Sequence, residues 1–385
     1  MVRIGIVGLG RAASGLLPTM LAHPDVRVVA LAEPQDDLRD AFCEDFDDVH
    51  GYTDASELVK DPDVDVVYVA TPHQFHCPHA VLAAEAGKHI LVEKPMALSL
   101  AECDTMIAAA KRAGVVLMVG HTNGYDAPVL AMRELTQSKR YGPLRMLSTF
   151  NFSDFLYRPR RPEELDTELG GGIMYNQFPH QVEMMRVIAG SDVVRVSATC
   201  GVWDRARPTE GAVAALLHFS DGVVASVNYN GYAHLDARAF YEGLDTAPER
   251  STGTPIRETV AGLTPAEEAR AKALSGYIAR RETLRHAPKP ATRHERFGVF
   301  IASYEGADVV PTPSGLAAYT DFGVEEIPVA FGTGGLSRST VMDELCAVVG
   351  GATPLHDGVW GRATMAVCTA ALESSHRQAE VEVPK

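Results

Sequence analysis

A glycine-rich turn near the start of the chain has the spacing of a pyrophosphate-binding loop. Gly8 and Gly10 are followed by Ala13, giving the pattern G-x-G-x-x-A directly after an apolar run at residues 3–7. Gly8 allows the tight turn, Gly10 leaves room for the backbone to approach phosphate, and a small third residue lets helix and strand pack closely. The start of such a helix offers unpaired N–H groups to an anion. The sequence therefore predicts a dinucleotide cradle made of Gly8, Leu9, Gly10, Arg11, Ala12 and Ala13.

A glutamate follows the second apolar run, where the adenosine ribose of a dinucleotide would lie. Glu33 comes directly after the run at residues 28–32. Its carboxylate can accept hydrogen bonds from both ribose hydroxyls and would repel a 2′-phosphate. Pro34 and Gln35 supply no arginine to receive such a phosphate. This pattern favours NAD over NADP, and the alternative is a solvated glutamate at a strand end.

The elements that position these residues alternate between apolar strands and helical patterns. Strands are predicted at residues 3–7, 26–32, 64–70, 89–92 and 115–120, and helices at 12–22, 57–60, 79–86 and 100–113. This alternation indicates βαβ units and a parallel sheet, which is an α/β architecture. Residues 1–122 are thus predicted to form an NAD-binding Rossmann domain.

After Gly142 the pattern changes to strands with few helices between them. Strands are predicted at residues 144–152, 193–200, 212–219 and 223–229, a helix at 181–189, and a final helix pair at 340–349 and 361–375. The Ser-Asp-Gly sequence at 220–222 indicates a hairpin turn. Residues 123–385 are therefore predicted to form an α+β domain with an open, mostly antiparallel sheet that binds substrate and makes oligomer contacts.

Residues 243–296 interrupt this second pattern. The segment is rich in Pro, Thr, Glu and Arg, and it contains a helical stretch at 265–281 that begins after Thr264, a suitable N-cap residue. One interpretation is a surface excursion or lid without chemistry. The other is a contact with a neighbouring subunit.

Composition and charge exclude several classes of function. The chain has 385 residues, 46% of them hydrophobic, which is enough for two cores. A formal net charge of −15 argues against nucleic acid or an anionic membrane surface as a partner. The sequence has no signal-like N-terminus, no apolar run long enough to span a bilayer, and six scattered cysteines. These features predict a cytoplasmic protein.

A set of short motifs together resembles the Gfo/Idh/MocA oxidoreductase family. The motifs are Ala-Thr-Pro at 70–72, Glu-Lys-Pro at 93–95, the stretch 120–126, the glycines 170–172 with a histidine downstream, and Asp-Gly at 357–358. The resemblance implies a Rossmann domain, an open sheet, hydride transfer, and a homodimer or homotetramer. It also implies that Thr71, Pro72, Glu93 and Lys94 lie beside the cofactor.

Lys94 is the first candidate catalytic residue. Oxidation of an alcohol requires hydride departure to nicotinamide and proton departure from oxygen. Lys94 follows a parallel strand and so faces the crevice where such sheets bind ligands. Its ammonium can donate a hydrogen bond to the reacting oxygen, and Glu93 can help to fix it. The ordinary alternative for a lysine is a solvated surface group.

His180 is the second candidate, as the general base. The ordinary pKa of a histidine, about 6.5, suits proton exchange near neutral pH. In the family an aspartate usually stands four residues before this histidine, and here the position holds Asn176. An amide cannot carry charge or take a proton. Lys94 and His180 are therefore predicted to carry the proton transfer, with Asn176 as a positioning group.

Several other histidines lie near the predicted crevice. His73, His76 and His79 suggest a metal site, but no partner motif supplies the remaining ligands, and we predict that no metal binds. The resemblance instead implies that His73 and His76 lie beside the cofactor. It also implies that His121 lies near the nicotinamide.

Positive charge is concentrated before the glycine run, at Arg158, Arg160 and Arg161. One interpretation is an exposed basic loop that pairs with the nearby acidic residues. The other is a clamp for a substrate carboxylate, since guanidinium binds carboxylates in a bidentate fork. Asn123 and Tyr125, in the stretch after the fifth strand, complete the predicted substrate-binding set, which also includes Lys94, Asn176 and His180.

Within the family this combination resembles the phthalate cis-dihydrodiol dehydrogenases of aromatic degradation. The implied reaction is oxidation of phthalate 4,5-dihydrodiol to 4,5-dihydroxyphthalate, and the implied partner is a small anionic or polyol ring substrate. Three alternatives are an NAD-dependent sugar or inositol dehydrogenase, a non-catalytic NAD-binding regulator, and a glycosidase that uses NAD transiently.

Overall fold

The computed structural model describes residues 1–120, 123–237, 240, 256–284, 286, 290–294, 296–336 and 338–385. The chain forms two compact units. The first contains Met1–Thr122, Lys272–Ala291 and Phe331–Met365, and the second contains Asn123–Ala271, Thr292–Ala330 and Ala366–Lys385. Within the described residues, no helix is long and apolar enough to cross a membrane.

The first unit is built on a six-stranded sheet in which every neighbouring pair is parallel. The strands are β1 Val2–Val7, β2 Val26–Ala32, β3 His50–Tyr52, β4 Val66–Val69, β5 His89–Glu93 and β6 Leu117–Gly120, in the order β3-β2-β1-β4-β5-β6. The helices are α1 Arg11–Ala22, α2 Asp36–Asp45, α3 Ala55–Leu58, α4 His76–Glu85 and α5 Leu100–Ala113. This confirms the predicted Rossmann sheet.

The strand order of this sheet reverses next to β1, because β1 lies between β2 and β4. Ligands of open parallel sheets bind outside the carboxyl ends of the strands at such a reversal. The turns that follow β1, β2, β4 and β5 carry the Gly8 turn, Glu33, Thr71 and Lys94 respectively. The topology thus gathers the predicted cofactor residues at one edge of the sheet.

The second unit is built on a nine-stranded mixed sheet. Its strands are β7 Leu144–Phe152, β8 Val193–Gly201, β9 Ala212–Phe219, β10 Val224–Asn230, β11 Val299–Tyr304, β12 Asp308–Thr312, β13 Gly315–Thr320, β14 Gly323–Pro328 and β15 Val381–Glu382. The pair β7–β10 is parallel and the other pairs are antiparallel, which confirms the predicted mostly antiparallel sheet. The predicted hairpin joins β9 to β10 with Gly222 at φ +91°.

Three helices of this unit precede or pack on the sheet: α6 Ala127–Ser138, α7 Gly172–Asn176 and α8 Phe178–Ala189. Gln181 fixes α8 on the parallel pair, because its side-chain amide donates to Thr149 Oγ1 at 3.3 Å and to the Asn228 carbonyl oxygen at 3.0 Å. Helix α8 begins three residues earlier than predicted, with Pro179 in its first turn, where proline is favoured.

The predicted helix at 265–281 is two helices. After α9 Ile256–Ala261, the chain forms α10 Pro265–Leu274 and α11 Tyr277–Leu284, with a break at Ser275–Gly276. Thr264 caps α10 as predicted, since its hydroxyl accepts the Glu267 N–H at 3.3 Å. Residues 243–255, 285, 287–289 and 295 of the excursion lie outside the described residues. The last helices are α12 Ser339–Val349 and α13 Gly358–Arg377.

Candidate active site

The glycine turn after β1 has the backbone that the motif predicts. Gly8 has φ +89°, and a Cβ there would lie 3.1 Å from the Ala70 carbonyl oxygen, so both conformation and space require glycine. Gly10 is the N-cap of α1 and has no side chain with which to cap the helix. Ala13 is fully buried. These features fit a dinucleotide pyrophosphate held by backbone N–H groups at a helix start.

Glu33 is tied to this turn by its carboxylate. Its Oε2 accepts the Leu9 N–H at 2.9 Å, and its Oε1 accepts the Gln35 N–H at 3.1 Å. Oε1 also accepts the Gln35 side-chain amide at 3.3 Å, so Oε2 is the oxygen that keeps a second lone pair for a ribose hydroxyl. Arg39 lies nearby, but its guanidinium is paired with Asp36 at 2.6 Å. A negative charge beside a neutralised arginine suits NAD better than NADP.

His76 joins the ends of two strands. Its Nδ1 lies 2.8 Å from the Pro95 carbonyl oxygen and its Nε2 lies 3.0 Å from the Thr71 carbonyl oxygen. The ring is fully buried, and burial lowers its pKa from 6.5 to about 4, so it is neutral at physiological pH. A neutral imidazole has one N–H, so His76 donates to one of these two carbonyl oxygens. The ring lies between the backbone segments that carry the predicted cofactor residues Thr71 and Lys94.

Two other histidines were predicted at this edge. The His73 ring lies 5.6 Å from the His76 ring, measured between centroids, in an edge-on arrangement. Its predicted contact with the cofactor stays a prediction. His121 lies outside the described residues.

The carboxylate of Glu93 fixes the backbone of Lys94. The Lys94 N–H donates to Glu93 Oε2 at 3.2 Å, and the Tyr68 hydroxyl donates to Oε1 at 2.6 Å. Burial raises the pKa of Glu93, while the positive charges of Lys94 and Arg338 act in the opposite direction. Tyr68 is fully buried, and its pKa is raised by that burial and by Glu93. Lys94 itself is half-buried at the strand end.

In the second unit the glycine run is required by close packing. Gly172 has φ +70°, and a Cβ there would overlap the Thr209 hydroxyl and lie 2.8 Å from the Glu210 carbonyl oxygen. The side chain of Asn176 is buried and donates to the carbonyl oxygens of Gly172 at 2.8 Å and Gly170 at 3.4 Å. An amide can make these bonds, whereas an aspartate at this position has no N–H to donate.

His180 lies against aromatic rings that the sequence did not indicate. Its ring centroid is 5.0 Å from that of Phe297, which stacks on Tyr229 with centroids 6.3 Å apart. The Tyr229 hydroxyl shares a hydrogen bond with Ser153 Oγ at 2.8 Å, and burial raises its pKa to about 12. Phe297 and Tyr229 form a flat apolar wall beside the candidate base. Phe297 comes directly after the excursion, and no periodic pattern in the sequence there indicates that it lies at the site.

The three predicted clamp arginines have carboxylate partners in their own unit. Arg158 Nε lies 3.0 Å from Asp154 Oδ1, with both side chains about one-third exposed. Arg161 Nε lies 3.1 Å from Glu163 Oε1. A substrate carboxylate would have to share or replace these partners.

Arg160 is the buried member of the three. Its backbone N–H donates to Glu268 at 2.6 Å, its Nη2 donates to the Phe155 carbonyl oxygen at 2.7 Å, and its guanidinium lies 3.7 Å above the Phe155 ring. Glu268 also receives Arg207 Nη1 at 2.5 Å. This network holds α10 of the excursion in the second unit.

The loop that follows β6, at residues 123–126, packs against the carboxylate of Glu183. Tyr125 is fully buried, and Asn123 is half-buried. A Cβ on Gly124 would lie 2.6 Å from the carboxyl carbon of Glu183, a fully buried residue of α8. Glu183 therefore supports the loop that carries Asn123, and sequence reasoning missed it.

Comparison with known proteins agrees with this arrangement. Residues 2–121 match the NAD-binding Rossmann-fold domain of an oxidoreductase family, and residues 129–242 match the GFO/IDH/MocA C-terminal domain. The enzyme 1-carboxy-3-chloro-3,4-dihydroxycyclohexa-1,5-diene dehydrogenase of Comamonas testosteroni is 41% identical, covering 97% of this chain and 94% of its own length.

Two further relatives extend the comparison. Trans-1,2-dihydrobenzene-1,2-diol dehydrogenase of Mus musculus is 30% identical, covering 63% of this chain and 72% of its own length. A solved structure from Bordetella bronchiseptica RB50 is 40% identical, covers 99% of both chains and superposes with a TM-score of 0.89. The chain belongs to the Gfo/Idh/MocA family of NAD-dependent oxidoreductases.

Proposed function

We propose that this protein oxidises a carboxylated cyclohexadiene cis-diol with NAD and so produces a catechol. The observation that carries the proposal is the 41% identity over 97% of the chain to the Comamonas dehydrogenase, whose name describes a ring diol with one carboxylate. The wall of Phe297 and Tyr229 beside His180 supports it, because flat apolar rings favour a planar unsaturated ring over a polyol.

The proposed reaction breaks one C–H bond and one O–H bond and forms a ketone. NAD, when bound, accepts the hydride from the carbinol carbon. The hydroxyl releases its proton to a base. The ketone then enolises to the aromatic catechol without a further oxidant, and the gain of aromaticity drives the overall reaction forward.

Each side-chain role in this proposal has a structural reason. His180 is the proposed proton acceptor, and Lys94 is the proposed hydrogen-bond donor to the reacting oxygen. Asn176 holds the glycine run through its two carbonyl contacts. Arg158 is the proposed partner of the substrate carboxylate, because it is about one-third exposed while Arg160 is buried in a network.

The test is NADH formation with three substrates: a carboxylated cis-dihydrodiol, benzene cis-dihydrodiol and myo-inositol. We expect kcat/KM to be highest for the carboxylated diol, about tenfold to a hundredfold above the uncarboxylated one, because a charge-assisted hydrogen bond is lost. Turnover of inositol alone would instead identify a polyol dehydrogenase. NAD binding with no NADH formed from any substrate would identify a regulator.

The number of carboxylates is the finer part of the proposal. Phthalate 4,5-dihydrodiol, which the family resemblance implies, carries two carboxylates, whereas the name of the Comamonas relative describes one. The same assay with the phthalate diol and with a monocarboxylated diol ranks the two. A higher kcat/KM for the phthalate diol would support 4,5-dihydroxyphthalate as the product.

A further inference from the structure

Helix α1, which begins at the phosphate cradle, lacks one of its own hydrogen bonds. Pro18 lies inside α1, and proline has no backbone N–H. In an α-helix the N–H of residue 18 would donate to the carbonyl oxygen of residue 14. The Ser14 carbonyl oxygen thus loses its helical partner one turn after the cradle.

An arginine from the excursion supplies the missing donor. Arg280, in α11, places its Nη1 3.2 Å from the Ser14 carbonyl oxygen. Arg338 places its Nη1 3.5 Å from the next carbonyl oxygen, that of Gly15. A Cβ on Gly15 would lie 3.6 Å and 3.8 Å from these two nitrogens, so both guanidinium groups meet α1 beside the gap.

Other contacts hold α11 in this position. Tyr277 is 1% exposed, packs on Phe42 with ring centroids 5.2 Å apart, and donates its hydroxyl to Asp45. Arg281 Nε lies 2.6 Å from the same carboxylate. The Arg280 contact is therefore part of an anchored helix and does not depend on one flexible side chain.

The start of this segment also lies against the cradle itself. Gly276 is buried, and a Cβ on it would lie 3.4 Å from the Gly10 carbonyl carbon and 3.4 Å from the Leu9 carbonyl oxygen. Gly276, at the break between α10 and α11, therefore packs within van der Waals distance of the turn. Two neighbouring parts of one segment thus contact the turn and the helix that follows it.

We propose that Arg280 is a positioning residue for the cofactor. It replaces the hydrogen bond that Pro18 removes, and with Gly276 it keeps the first turn of α1 in the arrangement that pyrophosphate requires. Its positive charge also attracts an anion bound at the helix start. Arg280 acts on the affinity for NAD and leaves the chemical step unchanged.

Arg280→Met tests this, because it removes the guanidinium donor and keeps much of the apolar stem. We expect the Kd for NAD, measured by titration calorimetry, to rise about fivefold, which corresponds to one ordinary hydrogen bond. We expect kcat at saturating NAD to stay unchanged and amide exchange in α1 to become faster in the NAD-free protein. Arg270→Met, at an exposed position of α10, is the matched control.

Pro18→Ala provides a rescue that a general loss of stability would not show. Alanine restores the N–H that serves Ser14, so the double variant should bind NAD within about twofold of the parent. An unchanged Kd in Arg280→Met, or a double variant as weak as Arg280→Met, would overturn the proposal. If Arg280→Met does not fold, Pro18→Ala is compared with the double variant. Equal Kd values for NAD support the proposal, and weaker NAD binding by the double variant overturns it.

Discussion

The ionisable side chains predicted for the site have different kinds of partner in the two units. In the first unit Glu33 and His76 bond to backbone N–H and carbonyl groups. In the second unit Arg158 and Arg160 are paired with the side chains of Asp154 and Glu164. Backbone partners are set by the motif that contains them, whereas side-chain partners depend on which of several nearby carboxylates the fold brings within reach.

This difference explains where motifs are informative. The G-x-G-x-x-A pattern and the strand ends define a backbone cradle, and a dinucleotide is bound largely by that backbone. The segment with Arg158, Arg160 and Arg161 predicts a concentration of positive charge, but it does not predict which carboxylate each arginine pairs with. In the second unit, function therefore has to be tested one side chain at a time.

The largest effect is expected for His180→Ala. Loss of a positioned base typically reduces turnover by about a hundredfold to ten-thousandfold. We expect kcat to fall by this amount and the Kd for NAD to be unchanged, as measured by steady-state kinetics and calorimetry. His376→Ala, at an exposed position of α13, is the control. Nearly full turnover in His180→Ala would mean that the second unit does not supply the base.

The arginine pair should separate stability from substrate binding. Arg160→Met removes the buried guanidinium that contacts Glu164 at 3.4 Å and the Phe155 carbonyl oxygen at 2.7 Å, and we expect the free energy of unfolding to fall by about 3 kcal/mol. Arg158→Met breaks an exposed pair worth about 0–1 kcal/mol, and we expect it to raise the KM for the carboxylated diol about tenfold. Denaturant unfolding measures the loss of stability, and steady-state kinetics measure the change in KM. The reverse assignment of effects would show that Arg160 is the substrate ligand.

Glu33→Ala tests the choice of cofactor in the first unit. The variant loses a charged acceptor and the charge that repels a 2′-phosphate. We expect the ratio of kcat/KM for NAD to that for NADP to fall about tenfold to a hundredfold. Glu57→Ala, also in the first unit, is the control. If the ratio does not change, Glu33 serves the Leu9 N–H and not the cofactor.

The smallest effect concerns the pH dependence of stability. Burial lowers the pKa of His76 from 6.5 to about 4. Between these values the unfolded chain binds more protons than the folded one, so the free energy of unfolding falls as pH is lowered through this window. His76 contributes up to about 1.4 kcal/mol per pH unit to this slope. His76→Asn should reduce the slope between neutral pH and about pH 5 in denaturant titrations. An identical slope in the variant would contradict the burial argument.

The sheet of the first unit was largely accessible from the sequence because regular patterns encode regular elements, whereas β11 to β14 of the second unit and helices α2 and α6 were not predicted. Strand β3 was missed, since His50–Tyr52 is short and lacks an apolar run. The division between α10 and α11 was also missed. Ser275–Gly276 reads as helical locally, and nothing in the spacing shows that Gly276 packs against the distant turn at Leu9 and Gly10.

Site residues that belong to a backbone motif could be predicted from the sequence. Site residues that depend on packing between separate elements could not. Phe297 lies beside His180 although more than a hundred residues separate them. Glu183 of α8 packs against Gly124, which lies 59 residues earlier in the chain. Neither contact follows from spacing, because both arise when separate elements pack.

The proline inside α1 also has an evolutionary consequence. A carbonyl group that loses its donor in a buried place costs about 1–3 kcal/mol, which is a large fraction of the stability of a domain. A lineage could therefore accept Pro18 most readily after a segment carrying Arg280 was already in place. Loss of these residues is expected in the opposite order, with Pro18 replaced before Arg280 is lost. Positions 18 and 280 should therefore change together. A shortened chain without residues 272–284 should have a residue with a backbone N–H at position 18.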